Sequence, residues 1–298
     1  MPGISAPPPD HRASSKRRKI FVISTCQSVG IANSLQNITE NIEIHGLTVG
    51  EADAKDDAFY RENLVDADHI FALTRFKPRR EFEHINDKIT PIPNVLFNAY
   101  HPDLIYLQHR GVELRGVLSG LHSAIAFAAF RRGLSVDEAL ALFNGSNYRA
   151  FGYFDLWEPS RTALFHQFRL AGLRLEEHFY RWCRGGSFMH TTNHPKINVL
   201  SDIAVEALRR VGISPVRERA EIVDPLQNGP LFPVYEEIGE HYGTAGSYRF
   251  KPLRTNYTLS LREFVSQSFA LYSRSIPEEI APHPAFARKV EAIAQRLR

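Results

Sequence analysis

Two hydrophobic periods alternate along the first hundred residues, and this alternation constrains the fold more than any other feature. Lys19-Ile-Phe-Val-Ile-Ser24 is a short apolar, β-branched run of the kind that fills a buried strand. The polar tetrad Thr25-Cys26-Gln27-Ser28 follows at once. Ile31, Leu35 and Ile38 then recur at the i, i+4, i+7 spacing of one helix face. The unit is strand, tight polar turn, helix. It repeats, with strands predicted at 42–47, 69–74 and 94–100 and helices at 56–65 and 78–89. Strands alternating with helices at this spacing need crossover connections, which impose a mainly parallel sheet with helices on its faces. Ligands of such sheets bind beyond the carboxyl ends of the strands. Here those ends are 25–28, 75–80 and His101-Pro102-Asp103.

From about Leu118 the pattern becomes helical. Residues 121–130 are apolar nearly all round, which predicts a buried helix, and 136–143 reads as another. A long helix is predicted over 160–184, with Leu164, Phe168, Leu175 and Phe179 on one face and Gly185-Gly186 as its stop. Further helices are expected at 199–211, after the Ser260-x-x-Glu263 capping box, and along Phe286, Val290, Ile293 and Leu297. Residues 222–257 read as ordered loop. The expected fold class is therefore α/β: an N-terminal, mainly parallel Rossmann-like sheet with flanking helices, then a largely α-helical C-terminal half. Residues 1–18, with Pro7-Pro8-Pro9 and Lys16-Arg17-Arg18, read as a flexible tail. Residues 19–298 read as a single α/β catalytic domain, with a sheet-containing part at 19–117 and a helical part at 118–298 packed against it.

Composition narrows the function classes. A net charge of +3 over 298 residues argues against a nucleic-acid binder, which carries a strongly basic domain or stripe. No window approaches the roughly 20 apolar residues of a membrane span, and no signal-peptide core follows the basic run. Two cysteines in a chain of this length do not make a disulfide scaffold. The expectation is a cytoplasmic enzyme with no transmembrane segment.

Cys26 is the first candidate for chemistry. At the amino end of a helix, free N–H groups and the dipole favour an anion, so a cysteine there is expected to have a lowered pKa and to serve as a nucleophile. The same N–H groups could instead hold a phosphate or an oxyanion. Among thirteen histidines, His101, His122 and the pair His190 and His194 sit in polar company, beside Asp103, Ser123 and Asn193. A histidine so placed can act as a general base oriented by a carboxylate or amide. Pro195 and the loop composition argue against a helical zinc pair at His190 and His194, and no metal site is expected. No Gly-x-Gly-x-x-Gly or P-loop signature occurs. The basic segment Arg75-Phe-Lys77-Pro-Arg79-Arg80 would suit a 3′-phosphate, a pyrophosphate or an adenine, and reads equally well as a solvated charge run.

Taken together, the motifs resemble a known family. Cys26-Gln27-Ser28 after a first strand, Phe97-Asn-Ala-Tyr-His101-Pro-Asp103, Leu121-His122-Ser123 before an Ala-rich helix, and Phe188-Met-His190-Thr-Thr-Asn193-His194-Pro195 occur in the order found in the WcbI-like polysaccharide biosynthesis enzymes of bacterial capsule loci. The resemblance runs from about Lys19 to Val211. It implies an acetyltransferase that binds coenzyme A (CoA) and O-acetylates a capsule sugar, with acetyl-CoA and a sugar or polysaccharide acceptor as partners, alongside other capsule-biosynthesis enzymes. On that reading Cys26, His122, His194 and Asp103 are catalytic, with His194 or His122 as base and Asp103 or Asn193 orienting it. Gln27 and Thr25 serve the oxyanion. Ser28, Arg75, Lys77, Arg79, His101, Ser123, His190 and Asn193 contact the cofactor. One departure is that Ser24-Thr25 stand where the family has Gly-Asn, so a Thr25 hydroxyl would replace an Asn amide. Two other readings remain: a Ser-Gly-Asn-His-type esterase or thioesterase with Cys26 as nucleophile, and a non-catalytic CoA-binding capsule-assembly protein.

Overall fold

A computed structural model describes residues 17–216 and 220–297. The expected tail thus lies outside the described residues except for Arg17 and Arg18, and Arg18 already belongs to the first strand.

The first hundred residues build the expected sheet. Strand β1 (Arg18–Ser24) leads through the polar turn into α1 (Ser28–Asn37), β2 (Ile42–Thr48), α2 (Val49–Asp53) and α3 (Asp57–Phe59), the last running on through one π turn to Leu64. Strand β3 (His69–Leu73), a 3₁₀ segment (Arg80–Lys88) and β4 (Ile89–Ile92) complete it. The order is β2-β1-β3-β4 and every neighbouring pair is parallel. Alternate residues serve opposite faces, as the pleat demands. Ile20 and Val22 enter the main core under α1, whereas Phe21 and Ile23 enter a smaller core with Ala52, Tyr60, Phe82 and Ile85.

Two expectations in this part fail. Residues 94–100 form no strand; β4 takes the edge position instead, where Pro91 costs no ladder bond. The apolar residues of 94–100 still pack, since Val95 and Phe97 are fully buried. Their backbone groups are bonded by the Gln27 side chain and the Thr192 carbonyl rather than by a neighbouring strand. The helix expected at 78–89 is 3₁₀ and kinked at Phe82.

The second half is helical with a small antiparallel sheet inserted. Strand β5 (Leu104–His109) pairs with β6 (Val112–Glu113) and β7 (Leu121–Ser123). The apolar run at 121–130 is therefore split, with α4 (Ala124–Arg131) starting only after Ser123, which caps it. Next come α5 (Val136–Leu140), α6 (Gly145–Ala150), α7 (Trp157–Ala171) and α8 (Glu176–Arg184). The single helix expected over 160–184 breaks at Gly172, whose φ of 65° lets it close α7 as a left-handed cap. The hairpin β8 (Met189–Thr191) and β9 (His194–Pro195) feeds α9 (Ile197–Arg210). Then follow α10 (Glu236–Tyr242), α11 (Leu261–Arg274) with its capping box, β10 (Ile280–Pro282) on the free edge of β5, and α12 (Ala287–Arg296). The main core is continuous from Ile20 to Ile293. Helices α1 and α9 pack at close range: a Cβ on Gly30 would collide with the Leu200 side chain, and the Ser34 and Ser201 hydroxyls meet at 3.0 Å. This contact sets the amino end of α1 beside the β8–β9 hairpin.

Candidate functional site

The site grows from the β1–α1 turn. Thr25, Cys26 and Gln27 occupy the turn, and the Ser28 N–H donates to the Thr25 carbonyl at 3.0 Å. Gln27 is fully buried. Its Nε2 donates to the carbonyls of Val95 (2.9 Å) and Asn193 (3.0 Å) and to Asn94 Oδ1 (3.3 Å), and its Oε1 accepts from the Val95 N–H at 3.2 Å. The amide is thus fully committed. It cannot also stabilise an oxyanion, so the role expected for its side chain is replaced by another: it ties the turn to residues 94–95 and to the tip of the β8–β9 hairpin.

Cys26 is half-buried; its thiol donates to the Thr25 hydroxyl at 4.0 Å, and the Thr25 hydroxyl and the Cys26 and Gln27 N–H groups favour its thiolate form. Burial nevertheless dominates and raises the thiol pKa, against the lowering expected from the helix terminus. Tyr106, on β5, faces the same place. Its pKa is raised by burial and then by Cys26, with the Asn193 and Thr192 side chains opposing. Nothing in the local sequence singled out Tyr106, an ordinary strand aromatic brought in by the second sheet. The Asn193 Oδ1 also accepts from the Thr191 hydroxyl at 3.0 Å. Two neighbouring serines, Ser24 and Ser28, bury their hydroxyls without a partner.

The hairpin carries a second group of residues. His190 Nε2 and Asp224 Oδ2 lie 2.8 Å apart, each side chain about 10% exposed. Asp224 also accepts from the N–H groups of Ile197 (2.9 Å) and Leu226 (3.0 Å). Its burial favours the neutral acid, but the His190 bond and these N–H groups outweigh it and hold the carboxyl below its usual range. Since Asp224 accepts, Nε2 donates the proton of that bond, and in the neutral ring Nδ1 of His190 is the acceptor nitrogen. Asp224 was missed from sequence because it lies 34 residues from its partner, in a stretch read as plain loop. His101 and His194 complete the group. Burial, reinforced by His190, depresses His101 to about 3 and His194 to about 4, and Nδ1 of each is buried without a partner. Lys196 lies between this group and α9, its pKa lowered by burial with Asp224 opposing.

Other expected site residues are placed elsewhere. Asp103 orients no histidine: its carboxylate accepts from Ile125 N–H (2.9 Å), Tyr153 OH (2.8 Å) and Tyr235 OH (2.6 Å), stapling α4 to two distant aromatics. His122 is walled in. Its Nε2 donates to the Leu114 carbonyl at 2.9 Å, Nδ1 accepts from Tyr272 at 3.1 Å, and burial lowers its pKa to about 4. With both nitrogens occupied it has no lone pair to offer a substrate. Ser123 is buried as the α4 cap. Arg79 bonds Asp57 (2.8 Å) and the carbonyls of Asp53 and Lys55, and lies over the Tyr60 ring, so it braces the α2–α3 connection. Arg75 and Lys77 are exposed beyond the carboxyl end of β3. Among the described residues no group of three or more His, Cys, Asp or Glu is arranged to hold a metal ion. No described helix is long and apolar enough to cross a membrane.

Chemically, the arrangement offers an anion-directed turn, a phenol and a histidine–carboxylate pair on tied segments. Comparison with curated proteins finds no significant match. A solved structure shares the fold over 94% of each chain, with a TM-score of 0.66 and 13% identity; it is described as WcbI, a novel polysaccharide biosynthesis enzyme, in a native form without a disulfide bond between CoA and one of its cysteines. The family model for the polysaccharide biosynthesis enzyme WcbI matches residues 19–216, which takes in the turn, the His101 segment and the β8–β9 hairpin, and the chain belongs to that family.

Proposed function

We propose that this protein transfers an acetyl group from acetyl-CoA to a sugar hydroxyl of a bacterial capsular polysaccharide or its precursor. The observation that carries the reading is the strand-to-helix turn at Cys26-Gln27, tied through the Gln27 side chain to the hairpin that bears His190. Free N–H groups at a helix start suit a thioester and the negative charge that develops on its carbonyl. The solved relative, described by reference to a CoA–cysteine disulfide, supports placing the CoA thiol end against a cysteine. Cys26, at the amino end of α1, fits that place better than Cys183, which lies in the last turn of α8. The orphaned Ser28 hydroxyl and the His101 and His194 nitrogens offer buried polar contacts to the donor, and exposed Arg75 and Lys77 offer charge to its phosphates.

Acetyl-CoA supplies an activated acyl group. The chain's own residues supply the rest. His190, held by Asp224 through Nε2, takes the proton of the acceptor hydroxyl on Nδ1 as its oxygen bonds the acetyl carbon, and returns it to the CoA sulfur as the thioester C–S bond breaks. His194, with a pKa of about 4, is a weaker base at neutral pH than an unperturbed imidazole. The N–H groups of Cys26 and Gln27 receive the oxyanion, and Tyr106 places a phenol near Cys26. Burial raises the Cys26 thiol pKa and so disfavours its thiolate, which supports direct transfer to the sugar over a route through the sulfur.

A thermal-shift screen with CoA and acetyl-CoA tests the donor. A ligand at 100-fold its dissociation constant stabilises by about 2.7 kcal/mol if it binds only the native state. No shift at millimolar CoA or acetyl-CoA refutes the reading. Acetate release that is indifferent to added acceptor sugar identifies a hydrolase instead, and CoA affinity without any product identifies a binding protein.

A further inference from the structure

Away from the Cys26 turn, a cavity of about 520 Å³ lies between residues 149–156 and α12. That volume is within the range of small-molecule sites. Its wall carries three cations, Arg149, Lys289 and Arg296, against one carboxylate, Asp155. Arg149 lies over the Phe154 ring at 5.7 Å, and neither it nor Arg296 forms an ion pair with another described residue. Lys289 is tethered: its Nζ donates to the carbonyls of Pro102 (2.5 Å) and Leu104 (3.5 Å). A smaller hollow of about 150 Å³ on the other flank of α12 is lined by Arg131 and Arg132 with Glu291. Like charges drawn round a concave wall raise a positive potential that an anion relieves, and two guanidinium forks suit a planar or tetrahedral oxyanion.

We propose that this cavity binds the oxyanion of an acidic saccharide, a uronate carboxylate or a sugar phosphate, gripped by Arg149 and Arg296 over a floor made by Lys289 and Tyr153. The floor is anchored to the segment that follows His101: Lys289 holds the carbonyls of Pro102 and Leu104, and Tyr153 donates to the Asp103 carboxylate. The saccharide class rests on membership of a polysaccharide biosynthesis family, not on acyl transfer, so the two readings fail separately.

The test is binding, measured by calorimetry on the full chain and on an Arg149→Ala/Arg296→Ala double variant. Both side chains are exposed, so the variant is expected to melt with the parent. Probes are glucuronate, glucose 1-phosphate, inorganic phosphate and neutral glucose, with CoA as a control. The expected result is binding of glucuronate or glucose 1-phosphate, no binding of glucose, and a loss of about tenfold or more in the double variant with CoA affinity unchanged. Equal affinity in parent and variant overturns the proposal, as does glucose binding as well as the acids. Phosphate binding as tightly as glucose 1-phosphate, with no glucuronate binding, overturns the saccharide assignment. A parallel loss of CoA affinity overturns it too, because the cavity would then belong to the donor.

Discussion

Replacing Gln27 with leucine removes the four-way tie between the turn, residues 94–95 and the hairpin. Leucine fills much of the same volume, so the loss is mainly of hydrogen bonds. The Val95 N–H and C=O are buried and lose their partner, while the half-buried Asn193 carbonyl can find water. Each orphaned buried group costs about 1–3 kcal/mol, giving a loss of about 4 kcal/mol in all. In a chain of this size that lowers the melting temperature by about 6 °C. Gln27→Glu sharpens the test. Its carboxyl would face the Val95 and Asn193 carbonyls and Asn94 Oδ1, three acceptors, which disfavour the charged form. Its folded pKa then lies above the unfolded value of about 4.3, so its penalty relative to the parent is small below that pH and grows as pH rises through the folded pKa. Differential scanning calorimetry of parent and both variants at matched pH reads all of this. A Gln27→Leu melting point within about 2 °C of the parent, or a Gln27→Glu penalty that does not change with pH, refutes the argument that this amide locks the site.

Three further outcomes are expected. His190→Gln should lower kcat for acetyl transfer by about 10²- to 10⁴-fold while CoA affinity stays within a factor of about two; equal kcat would remove His190 as base. Cys26→Ala should keep measurable turnover, and intact-mass analysis of the parent with acetyl-CoA should show no adduct on Cys26; an adduct formed as fast as turnover contradicts direct transfer. Finally, His101, His122 and His194 all have folded pKa values of about 3 to 4, below the unfolded value of about 6.5. The unfolded chain therefore binds more protons between those limits. The stability these neutral rings provide is complete above about pH 6.5 and falls by about 1.4 kcal/mol per histidine per pH unit on acidification. His122→Leu should flatten that slope by about one histidine's share and leave CoA binding intact; an unchanged slope or lost CoA binding would contradict the walled-in role given to His122.

Local signals carried the first half of the fold well. The strand–turn–helix unit at 19–38 and the parallel strands at 42–48 and 69–73 follow from period alone, because each buries its apolar face against immediate neighbours. Period failed where a run was apolar but its backbone partners were not a ladder. Val95 and Phe97 look like strand residues and are buried like them, yet a glutamine side chain and a distant carbonyl satisfy their backbone. It failed again at Gly172, where one residue's left-handed conformation outweighs a continuous apolar stripe.

What the sequence alone determined was where a polar strand-to-helix turn would sit and which polar segments stood in family order around it. Cys26 and Gln27 lie at the carboxyl edge of a parallel sheet because β1 ends at Ser24 and α1 begins at Ser28, both written in adjacent residues. The tertiary structure decided what each polar side chain does, because its partners come from far along the chain. Gln27 meets Asn193 across 166 residues, Asp103 meets Tyr235 across 132 and His122 meets Tyr272 across 150. A side chain that has spent its donors and acceptors on such contacts has none left for a substrate. The thiol also ended up with a raised pKa, since the burial that shapes the pocket outweighs the donors that the turn supplies.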